Sequence, residues 1–483
     1  MGYAALGADV PGLDVEGDAR LAQQALDILE RNWLGHATSP SPKLYPHQWS
    51  WDSACIAIGY STWNQERAQT ELRSLFAAQW ADGLLPHIVF SGGGRYFPGP
   101  EFWQTERSPN APDGHRTSGI VQPPIHASAV LRVYRNAPDR ESAVRFLGEL
   151  FPKLAAWHDY LYRERTRAGG GLAEIWHPWE SGMDNSPLWD EALDRIVVTP
   201  AEVPAYERVD VLLTDAAERP TDAEYDRYAY LVQLFRDLDY APAQIRAACP
   251  FAVRPVLFNA LLVQAGRDLA TIARELGRDP RPFEAQADRT GAALDAQLWD
   301  EEYGLYVDYD VRSDSPVPVR CSIGFAPLYA GVPGPVRAER ALGGLTASLV
   351  QAGVHGWAVP SLSPDDPGFD PHRYWRGPVW PIVHWVLSQG FARYGNAVLS
   401  AALRRTIIDL CRSGGFREHY NPKTGRGQGG EQFAWTAALV LDLLHEARRR
   451  GRSDAMTPDA GAAVNSASPH TECGAQIRQE ELA

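Results

Sequence analysis

Cysteine is scarce in this chain: there are 5 in 483 residues, at Cys55, Cys249, Cys321, Cys411 and Cys473, none in CxxC spacing. An odd, scattered set neither frames disulfides nor makes a zinc knuckle, so the thiols are expected to be reduced and idle. No HExxH occurs, and His47 with Asp52 lacks a third ligand at a familiar spacing, so no metal is expected. Basic residues number 46 against 60 acidic ones, and the formal net charge of −14 comes without any Lys/Arg run. That argues against a nucleic-acid footprint and offers nothing to an anionic membrane. No uninterrupted apolar run is long enough to cross a bilayer. Met1 to Leu6 show no basic start leading into an apolar stretch, and Leu6 falls where a myristoylation signal wants Ser or Thr. A cytoplasmic location is the expectation. The triplet Gly92-Gly93-Gly94 is not followed by Gly-Lys-Ser/Thr, so it is no phosphate loop and reads as a flexible flap carrying Tyr96.

Aromatic residues are plentiful, with 16 Trp and 19 Tyr. Large helical cores use aromatics too, so the count alone only leans toward carbohydrate. Their placement says more. From His177 to Asp190 the chain reads HPWESGMDNSPLWD, with acids, indoles and hydroxyls crowded between turn formers. Gly182 permits a turn that a Cβ resists, and Pro187 steers Ser186 away from the helical region. A carboxylate on such a turn, beside indole faces, can have a raised pKa and serve as an acid. The bland alternative is a helix-capping loop with surface carboxylates.

Apolar spacing predicts amphipathic helices over 18–33, 65–80 and 138–165, and further helices near 50–62, 122–136, 222–240, 256–276, 281–299, 335–352, 379–395, 396–413 and 431–449. Gly83 reads as the stop of the second. Strand-like alternation is confined to short pieces such as 303–310. About a dozen helices without a parallel-strand rhythm argue against Rossmann and TIM folds. An all-α toroid of helical hairpins is the economical architecture, with long loops at one mouth. Residues 1–16 read as a flexible lead-in, 17–450 as one catalytic domain, and 451–483 as a small, polar, flexible tail.

The loops carry the remaining candidates. Tyr45 to Asp52, YPHQWSWD, sets Trp49 and Trp51 to stack on pyranose rings and Asp52 to accept from sugar hydroxyls. Gln122 places an amide at a helix start. Thr221 with Glu224 forms a capping box, which leaves Arg219 outside that explanation. A guanidinium there suits capture of a carboxylate, and a surface ion pair is the equal alternative. Glu418, in a turn-bounded loop beside Tyr420, becomes a candidate base once paired with Asp184. Inverting hydrolysis needs two carboxyl groups about 6.5–9.5 Å apart with room for a water.

With these loops in view, the chain resembles the glucosylglycerate and mannosylglycerate hydrolases of glycoside hydrolase family 63. More distantly it looks like processing α-glucosidases and trehalases on an (α/α)6 barrel. The strings that carry the likeness run in order: YPHQWSWD, LLPHIVF, YFPGP, SGIVQPP, WESGMDNSP, RPTDAEYDRY, YWRGPVWP and FREHYNPKTG. The resemblance implies Asp184 as general acid and Glu418 as general base. It implies Trp49, Trp51, Asp52, Trp375 and Trp380 as sugar-subsite residues, and Gly182 on the acid loop and Gln432 are counted with the substrate-binding set. Tyr45, Tyr96, Gln122, Arg219 and Tyr225 would grip the glycerate end. Lids over 84–100 and 214–225 would close on the aglycone. One departure stands: relatives carry a Gln before the Ser-Trp that follows the base loop, and here Glu431-Gln432-Phe433-Ala434-Trp435 puts Phe433 at that place. Gln432 is the substitute one position earlier, which leaves glucose against mannose open. Glu431 and Glu180 are the runner-up carboxylates.

The reading is therefore an inverting α-glycosidase for a small glycoside with an anionic aglycone, without cofactor, nucleic acid or membrane as partner. A homo-oligomer is compatible with it. Two rivals remain: a trehalase-like or oligosaccharide-processing glucosidase, which has no need of Arg219, and a non-catalytic carbohydrate-binding toroid.

Overall fold

The computed structural model describes residues 15–456 apart from 92–94, 200–201, 204, 349–350 and 354–355. The glycine triplet, Cys473 and the expected tail beyond Met456 lie outside the described residues. Helix α1 (Val15–Asn32) is followed by α2 (Ser50–Tyr60), α3 (Gln65–Ala77), α4 (His126–Asn136) and α5 (Arg140–Glu164). Then come α6 (Asp222–Asp237), α7 (Val256–Glu275), α8 (Arg281–Gln297), the short α9 (Ala326–Tyr329) and α10 (Pro335–Ser348). The chain closes with α11 (Pro381–Arg393), α12 (Ala397–Gly414) and α13 (Ala434–Met456).

Packing between these helices closes a ring. Helices α2, α4, α7, α9, α11 and α13 each touch the next, and α13 returns to α2. Helices α1, α3, α5, α8 and α12 pack outside them, alternating with the inner set along the chain. Among the described residues this is a twelve-helix (α/α)6 barrel in which α10 takes the remaining outer place, while α6 belongs to a loop insertion. Sequence pattern explains the alternation. Every residue of α2 is buried, so it presents no polar face and must sit inside. Outer α3 instead buries a stripe of Ala68, Leu72, Leu75 and Phe76. Gly59 lets α2 approach α13, because a Cβ there would stand 2.4 Å from Ala438 Cα.

Three details differ from the sequence reading. Helix α3 stops at Ala77, and Gly83 sits in the turn beyond with φ +100°. Helix α13 continues to Met456, past the expected start of a tail at 451. Helix α7 is long and apolar enough to cross a membrane by length and composition, but 83% of its apolar window is buried inside the barrel. It is a core helix.

Two short antiparallel strand pairs frame the mouth. Strand β1 (Gln48–Trp49) pairs antiparallel with β2 (Ile88–Val89), joining Gln48 to Val89 and Trp49 to Ile88. Strand β3 (Arg417–Tyr420) pairs with β4 (Gly427–Glu431), and the register slips between Arg417 and His419. Arg417 faces Glu431 and His419 faces Gln428, so the two glycines Gly429 and Gly430 oppose the single Glu418. Such a bulge re-aims a side chain.

Candidate active site

A cavity opens where these loops meet the N-terminal ends of α2, α4, α11 and α13. Tyr45, Trp49, Trp51, Asp52, Tyr96, Gln122, Gly182, Asp184, Arg219, Tyr225, Trp380 and Glu418 all line it. Residues spread over most of the chain are thus brought to one chamber. Helix N-termini carry partial positive charge, so a chamber built on them is receptive to hydroxyls and anions.

Asp184 stands on the turn after the 3-10 helix Pro178–Ser181. Gly182 ends that helix with φ +71°, and a Cβ on it would lie 2.7 Å from the Trp51 indole. The glycine is needed twice, for its conformation and for the close approach of ring and turn. The turn is anchored on both sides. Tyr228 Oη donates to Asp184 O at 2.8 Å, and Asn185 Oδ1 accepts from Trp375 N at 3.0 Å. Burial raises the Asp184 carboxyl to about 7; Arg219 pulls it down and the neighbouring Glu418 charge pushes it up.

Glu418 is held through both oxygens. Oε1 accepts from Tyr45 Oη at 3.0 Å and from Tyr374 Oη at 2.9 Å, while Oε2 accepts from Gly430 N at 2.9 Å. Arg219 Nη1 stands 3.9 Å from Oε2. The glycine bulge makes the space, since a Cβ on Gly429 would come within 2.5 Å of Oε2. Burial raises this carboxyl as well, but Arg219, the Gly430 N–H and the two phenols all favour its ionised form. The two carboxyls therefore share a chamber under different electrostatics. Asp52, buried in the first turn of α2, is pushed well above the carboxylate range by burial and by the Glu418 charge.

The walls are aromatic. Trp49 meets Tyr96 edge-on at 5.2 Å, and Trp51 meets Trp435 likewise at 5.2 Å. Gln122 Oε1 accepts from Trp51 N at 3.1 Å, fixing the orientation of its amide. Arg219 is 5% exposed, so the surface ion pair considered for it is not what forms. Its Nε donates to Asp210 at 3.1 Å and its Nη1 to Tyr45 Oη at 2.8 Å.

Four positions sit elsewhere than expected. Trp375 does not line the cavity; it stacks behind Trp380 at 3.7 Å and 6°, a second layer that stiffens the wall. Gln432 is exposed, on a left-handed turn with φ +49°, and it is Phe433 that reaches the wall. Glu431 points to Arg417 at 3.1 Å and is exposed. Glu180 is fully buried in a two-pronged pair with Arg165 at 2.7 and 2.8 Å, and it also accepts from Val121 N and Trp176 N. Breaking such a pair costs about 3–5 kcal/mol, which marks Glu180 as a fastener of the Asp184 loop. The capping box forms as expected, and its Glu224 also reaches Arg376 at 3.4 Å.

Sequence reasoning passed over Pro40, His87, Trp179, Tyr374 and Trp435 on the wall. Tyr374 is the most consequential. It precedes the tryptophan chosen from the same string, and on a backbone with φ +26° its phenol meets Glu418. Nothing in local sequence announces that twist. Asp210 was likewise silent, because its role appears only beside Arg219. Among the described residues no group of three His, Cys, Asp or Glu side chains is placed to hold a metal.

The family model for the mannosylglycerate hydrolase MGH1-like glycoside hydrolase domain matches residues 45–436. Mannosylglycerate hydrolase of Rubrobacter radiotolerans is 48% identical over 429 residues, covering 88% of this chain and 97% of the relative. Glucosylglycerate hydrolase of Mycolicibacterium hassiacum is 40% identical over 439 residues, covering 88% and 98%. The crystal structure of the GH63 mannosylglycerate hydrolase from Thermus thermophilus in complex with Tris superposes with a TM-score of 0.82 at 44% identity, covering 87% of this chain and 99% of that one.

Proposed function

The chain belongs to the mannosylglycerate hydrolase MGH1-like glycoside hydrolase family, and on that footing we propose that it is an inverting α-glycosidase hydrolysing glucosylglycerate or mannosylglycerate to the free sugar and glycerate. The supporting observation is the pairing of Asp184 and Glu418 in one aromatic-walled chamber that also contains a buried arginine. Asp184, lifted by burial to about 7, is suited to hold a proton near neutral pH and give it to the glycosidic oxygen. Glu418, surrounded by donors, is suited to take a proton from the water that attacks the anomeric carbon from the opposite face. The carbon–oxygen bond to the aglycone breaks as the new bond to water forms, and the glycerate hydroxyl leaves with the proton of Asp184. One water is consumed and no net proton, since the proton that Glu418 takes up balances the one that Asp184 gives.

Trp49, Trp51, Asp52 and Trp380 would hold the sugar, and Tyr45, Tyr96, Gln122, Arg219 and Tyr225 the glycerate. An arginine at that end answers a chemical need, since a chain of net charge −14 must supply a local cation to an anionic ligand. Residues 17–450 would act as one catalytic unit. Cytoplasmic action suits the four described cysteines, which are free and buried.

The test is proton NMR of the purified protein with each glycosylglycerate. Release of sugar that appears first as the β-anomer is expected. Initial release of the α-anomer would replace inversion by retention, and no release from either compound would overturn the substrate class.

A further inference from the structure

Arg219 is held by a second carboxylate–arginine layer that the chemistry above does not use. Its Nε donates to Asp210 Oδ2 at 3.1 Å, and its guanidinium lies over the Tyr374 ring with Cζ 4.4 Å from the centroid. Asp210 is gripped from its other side by Arg208, whose Nε meets Oδ1 at 3.1 Å and whose Nη2 meets Oδ2 at 2.6 Å. Arg208 then reaches Pro220 O at 2.7 Å and lies over the Tyr225 ring at 4.3 Å. The three charged residues are 9%, 8% and 5% exposed for Arg208, Asp210 and Arg219.

Two buried arginines around one buried aspartate are more than a fold needs to fix a loop. A lone Arg219–Asp210 pair would be neutral and would give a carboxylate ligand no charge to meet. With Arg208 added, the trio carries one net positive charge, set against the Glu418 carboxylate whose Oε2 lies 3.9 Å from Arg219 Nη1. Arg208 also touches Asp222 at 3.0 Å, but that carboxylate is 88% exposed and well screened. Arg208 spends its donors on Asp210, Pro220 O and Asp222, whereas Arg219 Nη2 makes no hydrogen bond to the described residues. The charge that Arg208 restores is therefore presented by Arg219, which faces both Glu418 and the chamber.

We propose that Asp210 and Arg208 are positioning residues for anion recognition: Asp210 sets the direction of Arg219, and Arg208 restores the charge that Asp210 would cancel. This rests on the reading of Arg219 as the grip on an anionic aglycone. A carboxylate that aims an arginine and a second arginine that rebalances it act on the ligand without touching it. Their signature is a loss confined to substrates with a negative aglycone.

The experiment compares kcat and KM on glucosylglycerate and on glucosylglycerol, which differ by a carboxylate against a hydroxymethyl group. Asp210→Asn should raise KM for glucosylglycerate about tenfold or more while kcat changes less than about threefold, and the neutral glycoside should change less than about threefold throughout. Arg208→Gln should shift KM in the same direction, and Arg208→Lys should recover part of that loss by restoring the charge. Equal losses on both glycosides, or no loss in folded Asp210→Asn, would overturn the proposal. Should Asp210→Asn fail to fold, the two Arg208 variants decide it, since identical KM values in wild type, Arg208→Gln and Arg208→Lys exclude the charge role. A wild type that does not distinguish the two glycosides would instead refute the aglycone reading itself.

Discussion

Tyr45 Oη lies 3.0 Å from Glu418 Oε1, although 373 positions separate the two residues in the chain. The phenol has one proton to give, and Arg219 Nη1 fills its acceptor side at 2.8 Å. Its hydrogen faces two acceptors, Glu418 Oε1 and Tyr374 Oη, each at 3.0 Å. Tyr374 supplies a second donor to the same oxygen at 2.9 Å. Two O–H groups directed at one oxygen favour the ionised carboxylate, which accepts and does not donate.

Removing either phenol should show this. Tyr45→Phe and Tyr374→Phe leave the ring packing in place and delete one donor each. The Glu418 carboxylate loses support, so its pKa rises and the acid limb of the rate profile moves to higher pH. A fall in kcat of about tenfold to a hundredfold is expected, in the range for lost hydrogen bonds to charged groups. Measuring kcat from pH 4 to 9 checks both effects; an unmoved acid limb in both variants would separate these tyrosines from the base.

Asp184 and Glu418 should fail in different ways. Asp184→Asn ought to lose at least about 10²–10⁴-fold on a glycosylglycerate. The loss should be much smaller on a glycosyl fluoride, whose leaving group departs with little help from an acid. Glu418→Gln should be inactive on both, since water activation is common to them. Circular dichroism spectra matching wild type would tie the losses to chemistry. Equal losses for Asp184→Asn on both substrates would remove its role as proton donor.

The pH dependence follows from the directions of the two shifts. In the proposed mechanism Asp184 is an acid and works only when protonated, and burial sets its carboxyl near 7, so activity should fall as pH rises through about 7. Glu418 acts as a base only when ionised, and burial raises it above its ordinary value of 4.5, so the acid limb should lie above that value. Arg219 lowers both groups, so in Arg219→Gln both limbs should shift to higher pH. A kcat/KM profile still rising at pH 9 would contradict the assignment of the acid.

The barrel was legible because its signals are local and periodic. Amphipathic outer helices such as α3 show in the spacing of Leu, Ala and Phe, and inner ones such as α2 in an unbroken run of small and apolar residues from Ala54 to Gly59. The acid and base loops were legible because Gly182, Pro187 and the glycines around Glu418 break that spacing where carboxylates stand. What the sequence hid depends on a backbone twist or a distant partner. Tyr374 rather than Trp375 faces the base because of a positive φ that a tyrosine seldom adopts. Gln432 drops out for a similar reason, since its own left-handed turn leaves it exposed and Phe433 fills the wall. Asp210 has no motif, and its meaning comes from two arginines that folding brings to it.

Gly182→Ala tests the turn beneath the acid. The new methyl group would fall 2.7 Å from the Trp51 indole on a backbone with φ +71°. Left-handed strain in a non-glycine residue costs about 1–3 kcal/mol before the clash is counted. Relief would displace Trp51, the Asp184 turn, or both. A lower melting temperature together with a reduced kcat is expected. A variant as stable and as active as wild type would show that the contact yields without consequence.

Asp308 offers a test of stability far from the chemistry. It is fully buried; Oδ1 accepts from Val256 N at 2.7 Å, and Oδ2 has no partner among the described residues. Burial raises this carboxyl to about 7 from 3.8, and the Val256 N–H only partly offsets it. Between those values the folded protein keeps a proton that the unfolded chain has released, so the contribution is fully present below about pH 4 and is lost as pH rises through 7. Asn keeps the acceptor for Val256 and cannot ionise. Asp308→Asn should therefore gain stability over wild type on the alkaline side, by at most about 4 kcal/mol at 1.36 kcal/mol per pH unit, and gain little at pH 4. Thermal unfolding of both proteins at pH 5 and pH 8 reads the difference. An offset of the same size at both pH values would mean that Asp308 does not hold its proton in the fold.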